Sequence, residues 1–449
     1  MEINWALLGV LMLFFAGMLW VGFWASKKQK SAADFYVGGR NFGTLTVTAT
    51  QMASAFGGGM LVAHVGLGYE FGFADFAYIG IAFPIGILLL NVLVAGWLRK
   101  QDFYTTTDWM VHQYGESKVL RTLASVVTMS VTMGWWVSQP IAAGKVMEAL
   151  TGIPLEVGIV VSAIIVVIYT MTGGIIAVAY TDVAQLGLML FGMFILLPVV
   201  VVKAGGIGEI FAAVPPENLT LWAPGKSVVW GWILAVLPGQ MVIQLYHQRI
   251  FAAKSVKVAK KGLYNLAISG VIAGVWASVL GMAIYKLNPN IADKEQAITW
   301  CIMNVLPSAV GVFILGAIIA AIVSTADSAL HSTSACITRD IYHGIFKTDA
   351  TDEDVLRFSK KCIAVLGVAG VIIGLFMPFV IKVLVLGYTL TTSGMVFPLF
   401  LGRFWKKANK YGAIAGMAGG IIAVALFETI PFLKAIMPSV AAGLITSLV

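Results

Sequence analysis

Apolar and polar positions do not alternate along this chain. Apolar runs near or above the ~18–20 residues that span a bilayer recur from one end to the other instead. They begin near Trp5, Leu45, Ala74, Leu120, Pro154, Ile176, Val228, Leu263, Ser308, Phe358, Pro378 and Ala413. That pattern predicts about twelve membrane helices. A further apolar segment near Ala435 meets the end of the sequence at Val449. It is too short to cross, and reads as a truncated span or an interfacial piece. A transmembrane barrel would show alternating segments of about ten residues. The expected class is therefore an all-α polytopic membrane protein. The first run is followed, not preceded, by Lys27, Lys28 and Lys30, the reverse of a signal peptide.

Composition agrees. The chain is 59% hydrophobic and 11% charged, against about 25% charged residues in soluble domains. Most of its 29 Lys and Arg fall in the loops after the first, third, seventh, ninth and eleventh predicted spans, Arg249 among them. The positive-inside rule then puts the N-terminus outside a cytoplasmic (inner) membrane. The same bias accounts for the net charge of +8 without nucleic acid as a partner. Five histidines and three cysteines (Cys301, Cys336 and Cys362) show no metal-ligand or catalytic-triad spacing. No catalytic residue and no organic cofactor is expected.

Two predicted spans look interrupted. The second carries Gly57, Gly58 and Gly59; the seventh carries Pro238 and Gly239. Glycine weakens a helix and proline removes a backbone hydrogen bond. In lipid such breaks survive only against protein or a water-filled cavity. Each also reads as a packing device, since both residues are frequent in membrane helices. The spacing adds information. Spans two to six and seven to eleven form two sets of five, opposite in topology because five is odd, and each opens with a broken helix. That arrangement points to a transport site at mid-membrane, where freed carbonyls hold a cation and freed N–H groups an anion.

The ninth span reads AIIAAIVSTADSALHSTSA. Ala321, Ser324, Thr325, Ser328 and Ser332 fall on one helical stripe. Such a stripe either packs closely or offers oxygens to an ion. Asp327 in the same span and Asp182 in the sixth are carboxylates near membrane depth, which marks functional positions or hydrated helix ends. Close in depth, the two could share a cation or a proton.

YVGGRNFG ahead of the second span, GGIIAVAYTDVAQ in the sixth and AAIVSTADSALHSTSACITRDIY in the ninth resemble the sodium:solute symporter family. The likeness runs over essentially the whole chain. It implies a LeuT-type fold. Residues 1–44 would hold an extra N-terminal helix and a loop, 45–205 and 226–404 the two inverted five-helix repeats, and 405–449 one or two C-terminal helices. It implies a main Na⁺ site of the Ala53, Phe56 and Ala321 carbonyls with the Ser324 and Thr325 hydroxyls. A second cation or proton site would use Asp182 and Ser328, with Asp327 standing where relatives carry a hydroxyl. Substrate-binding candidates beside the breaks are Gln51, Gly57, Gly58, Phe76, Trp135, Trp136, Gln139, Gln240, Gln244 and Tyr388. No Arg or Lys can be placed at the midplane, so a solute carboxylate would rest on half-helix N–H groups or on Na⁺. The expected function is sodium-coupled symport of a small organic solute, such as an amino acid or monocarboxylate, by alternating access. Two alternatives stand: a proton-coupled transporter on the same fold, and a transporter-like membrane sensor with a signalling partner.

Overall fold

The computed structural model describes residues 32–448 together with Gly9, Leu13, Ala16, Gly17, Trp20 and Trp24. The span predicted near Trp5, most of the 1–44 segment and Val449 lie outside the described residues. Those described form helices and contain no strand, only a single bridge between Phe42 and Ala253. In chain order the principal helices are α1 (Thr44–Ala55), α2 (Val65–Phe71), α3 (Ala74–Leu98), α4 (Lys118–Thr151), α5 (Leu155–Met171) and α6 (Gly173–Lys203), with shorter ones such as Thr106–Tyr114 between them. There follow α7 (Lys226–Gly239), α8 (Gln244–Ala252), α9 (Val256–Leu287), α10 (Ser308–Ala335), α11 (Asp352–Phe376), α12 (Val380–Phe404), α13 (Lys410–Thr429) and α14 (Ser439–Leu448). Among the described residues, eight apolar stretches are long enough to cross a bilayer: α3, α6, α7 with α8, α9, α10, α11, α12 and α13. Phe194, Val202, Val365 and Phe376 stand exposed on their outer surfaces, as a lipid-facing wall requires.

Capping explains where helices begin ahead of their apolar runs. α9 starts at Val256, about two turns before Leu263, because the Ser255 hydroxyl accepts the Val258 N–H. α11 starts at Asp352 in a capping box between Thr351 and Asp354. Hydropathy marks where lipid begins; the caps mark where the helix begins. The fifth and sixth predicted spans run on as Leu155–Lys203, bent at Gly174, whose φ of 54° favours glycine.

Both predicted breaks are present. α1 stops at Ala55, and the chain turns at Phe56 (φ −105°, ψ 46°) before resuming at Gly59 in π-helical turns that lead into α2. The second break lies later than Pro238 and Gly239. Both stay inside α7, and the chain opens only between Gln240 and Ile243. The first interruption is also a packing device. A Cβ on Gly57 would lie 2.1 Å from Thr325 Oγ1, and one on Gly58 2.5 Å from Ala142 Cβ. Break and close approach are one feature.

α10 runs through the centre, packed on α1, α4 and α6. The segment predicted near Ala435 is α14, ten residues long and so about 15 Å, too short to cross. It lies on α12 and α13, where Gly443 meets the Ser393 side chain and Gly416 the Ser447 carbonyl.

Candidate cation and solute site

At the end of α1 the Ala53 carbonyl faces α10. Ser324 Oγ lies 3.0 Å from it and 2.9 Å from the Ala321 carbonyl; Thr325 Oγ1 lies 3.3 Å from Ala53. Each hydroxyl has one proton to donate. A hard cation among these oxygens would take lone pairs from carbonyls and hydroxyls alike. Ala53, Ala321, Ser324 and Phe56 are buried, as is Thr325. Phe56 caps α1 at the turn, its N–H donating to the Met52 carbonyl.

Beside the break lies a small cavity of about 30 Å³, lined by Ala55, Gly57, Gly59, Met60, His64, Tyr78, Ile79, Phe83, Trp135, Gln139, Thr325, Leu384 and Tyr388. Of the predicted solute residues, Gly57, Trp135, Gln139 and Tyr388 line it. Gly58 sits at its edge, where its N–H donates to Gln139 Oε1 at 2.7 Å. Gln240 stands behind, its Nε2 donating to the Tyr388 hydroxyl at 2.9 Å.

The other four candidates point elsewhere. Trp136 turns its indole N–H to the Leu366 carbonyl of α11 and packs on Gly370. A helix rotates about 100° per residue, and here that rotation turns the two adjacent tryptophans to different neighbours. Phe76 packs on Gly80 and Gly274, between α3 and α9. Gln51 faces Gly262 of α9. Gln244 accepts from the Thr106 N–H at 2.6 Å and donates to the Tyr104 carbonyl, clear of the cavity.

One expectation about charge is corrected. Arg249 is not on a loop but wholly buried in α8. Its Nη2 donates to Ser328 Oγ at 2.7 Å and to Ser54 Oγ at 3.3 Å, and its Nε to Thr50 Oγ1 at 3.4 Å. Thr50 donates onward to Asp182 at 2.5 Å. Asp182 and Asp327 are both fully buried and within electrostatic reach of Arg249 and of each other. One Asp182 oxygen and both Asp327 oxygens have no hydrogen-bond partner. The polar residues around Asp182, Asp327 and Ser328 thus include three that sequence reasoning left out: Thr50, Ser54 and Arg249. An ionisable residue inside QLYHQRIF, an otherwise buried stretch, was the available signal.

A broken helix facing a hydroxyl stripe, with a cavity beside it and buried charge below, defines a cation-coupled secondary transporter. Residues 35–420 match the Sodium:solute symporter family. The chain belongs to that family: it is an integral membrane symporter rather than an enzyme, and sodium is its coupling ion. It is 28% identical to the osmoregulated proline transporter OpuE of Bacillus subtilis, over 97% of this chain and 93% of that one. It is 26% identical to the human high affinity choline transporter 1, over 92% of this chain and 75% of the relative. Its backbone matches a Na⁺-coupled sialic acid symporter, solved substrate-bound and outward-open, with a TM-score of 0.81, 25% identity and coverage of 98% and 97% of the two chains. The fold is LeuT-type.

Proposed function

We propose that one Na⁺ binds at the first break, on the Ala53, Phe56 and Ala321 carbonyls and the Ser324 and Thr325 hydroxyls. The solute then sits at the adjacent cavity, which opens further to admit it. The observation that carries this reading is the meeting of two carbonyls and two hydroxyls where α1 ends. Asp182 and Asp327 formally carry two negative charges and Arg249 one positive. The remainder invites a second Na⁺ or a proton near the unpartnered Asp327 oxygens. The repeats are 45–205 and 226–404, and the N-terminus lies outside an inner membrane. Sodium enters from outside, fixes the broken helix and completes the solute site; the bundle then rocks inward and releases both. An inward charge crossing 100 mV gains about 2.3 kcal/mol, which can support an approximately fiftyfold solute gradient per Na⁺. Relatives that carry proline and choline favour a small organic solute of that size.

The test is the double substitution Ser324→Ala with Thr325→Ala. It should abolish the difference between NaCl and KCl in thermal stability and in uptake by proteoliposomes. A double variant that keeps the sodium response would refute the assignment.

A further inference from the structure

His64 and Asp75 form a buried pair that neither the cation site nor the charged cluster uses. Asp75 opens α3 and is fully buried. One of its oxygens lies 2.6 Å from His64 Nδ1; the other has no hydrogen-bond partner. His64 follows the first break, lines the cavity and meets the Tyr78 ring edge-on at 4.7 Å.

A lone charge is expensive at such burial, so the pair is net neutral. Two arrangements satisfy that condition. Either an imidazolium Nδ1–H donates to the carboxylate, or a carboxylic acid donates to Nδ1. In both, Nε2 carries a proton. No hydrogen bond among the described residues takes that nitrogen, and the ring borders the cavity. No Lys, Arg, Asp or Glu lines the cavity, so His64 is the one lining residue able to carry positive charge there. The half-helix N–H at Gly58 is already held by Gln139. The rings of Tyr78, Trp135 and Tyr388 stand together, Tyr388 being 6.4 Å from Tyr78 and 6.2 Å from Trp135. An ammonium is attracted to the faces of such rings.

We propose that His64, oriented by Asp75, binds the carboxylate of a small zwitterionic solute whose ammonium end lies among Tyr78, Trp135 and Tyr388. This rests on the reading of the cavity as the solute site. An approaching carboxylate draws the shared proton onto Nδ1, and the resulting imidazolium makes a charge-assisted hydrogen bond. Asp75 is a positioning residue: it fixes the ring and accepts its Nδ1 proton.

The experiment uses the full chain in lipid nanodiscs, with calorimetry and thermal melting in NaCl and in KCl. The probes are matched pairs, glycine betaine against choline and L-proline against L-prolinamide, with D-glucose as a neutral control. In NaCl at least one carboxylate should bind, and its partner lacking the carboxylate should bind at least about tenfold more weakly. His64→Ala should weaken carboxylate binding by a similar factor, and Asp75→Asn by less. His64→Gln, which keeps a donor, should recover part of it. Sodium stabilisation without solute should persist in all three variants and so report folding. The proposal is overturned if neither carboxylate binds, if choline, prolinamide or glucose binds as tightly, or if His64→Ala binds undiminished. Absence of sodium stabilisation from the wild type would count against the coupling site instead. The matched pairs are compared in both salts, so the two failures stay separate.

Discussion

The two helix breaks hold corresponding places in the chain but differ in chemistry. At the first, the groups facing the gap come from other helices: Ser324 and Thr325 from α10, and Gln139 from α4. At the second, the backbone closes on itself. The Gln240, Met241 and Val242 N–H groups donate to the Val236, Pro238 and Gly239 carbonyls. His247 Nε2 donates to the Met241 carbonyl at 2.9 Å, and the Thr392 hydroxyl to that of Ala235 at 2.7 Å. The first break keeps some backbone bonds of its own and takes three side chains from other helices; the second takes one hydroxyl from α12 and is otherwise sealed by its own segment. Interruption alone does not make a binding site; the partners of the freed groups decide. Arg249, just beyond the sealed break, reaches the first through Thr50 and Ser54 of α1.

That link gives the largest expected effect. Arg249→Met leaves two buried carboxylates without their cation and should lower stability by about 3–5 kcal/mol in denaturant melts. Adding Asp327→Asn should recover part of the loss; an undisturbed single variant would show that the breaks are not coupled there. Next comes a pair of glycines. Gly57→Ala puts a methyl 2.1 Å from Thr325 Oγ1, and Gly239→Ala puts one 2.6 Å from Thr392 Oγ1. Each overpacks, at about 1–3 kcal/mol. Gly57→Ala should also abolish sodium-specific stabilisation, whereas Gly239→Ala should keep it. The reverse pattern would invert the comparison. Thr392→Val removes a single hydrogen bond at the sealed break and should cost about 1 kcal/mol by melting, with the sodium response intact.

The smallest effect lies away from both breaks. Glu209 is held below its ordinary value of 4.5 by the hydrogen bond and charge of Lys286, whose Nζ is 2.7 Å away. A lowered carboxyl stabilises the fold above its unfolded value and loses that contribution as pH falls through its folded one. Glu209→Gln should therefore produce a slight loss at neutral pH that vanishes in acid and shrinks with salt.

The helical class, the first break and the hydroxyl stripe were legible because each is a local pattern: run length, glycine spacing and helical period. The Ala53, Ala321, Ser324 and Thr325 grouping followed from those patterns together with the family likeness. What could not be read was rotation and depth. Trp135 and Trp136 are equivalent in sequence and face different neighbours in space. Gln51 and Gln244 resemble Gln139 in type, yet only Gln139 reaches the cavity. Arg249 sits among Lys-rich loop residues in the sequence, and only the packing of α8 under α1 and α10 removes it from water. His64 and Asp75 carry no motif. Their meeting depends on the sharp reversal between α2 and α3, at Gly72 with φ 55°.

The Gln139 amide on the Gly58 N–H has a consequence for leakage. A helix end left open in an empty carrier would be a seat for any small inorganic anion, chloride above all. Here the Gly58 N–H is taken by a neutral group of the protein itself, 2.7 Å away on a buried side chain. A spherical anion would have to displace that amide while lacking the rest of the solute's contacts. At this N–H, then, seating common salt in place of the solute carries the cost of breaking an existing hydrogen bond.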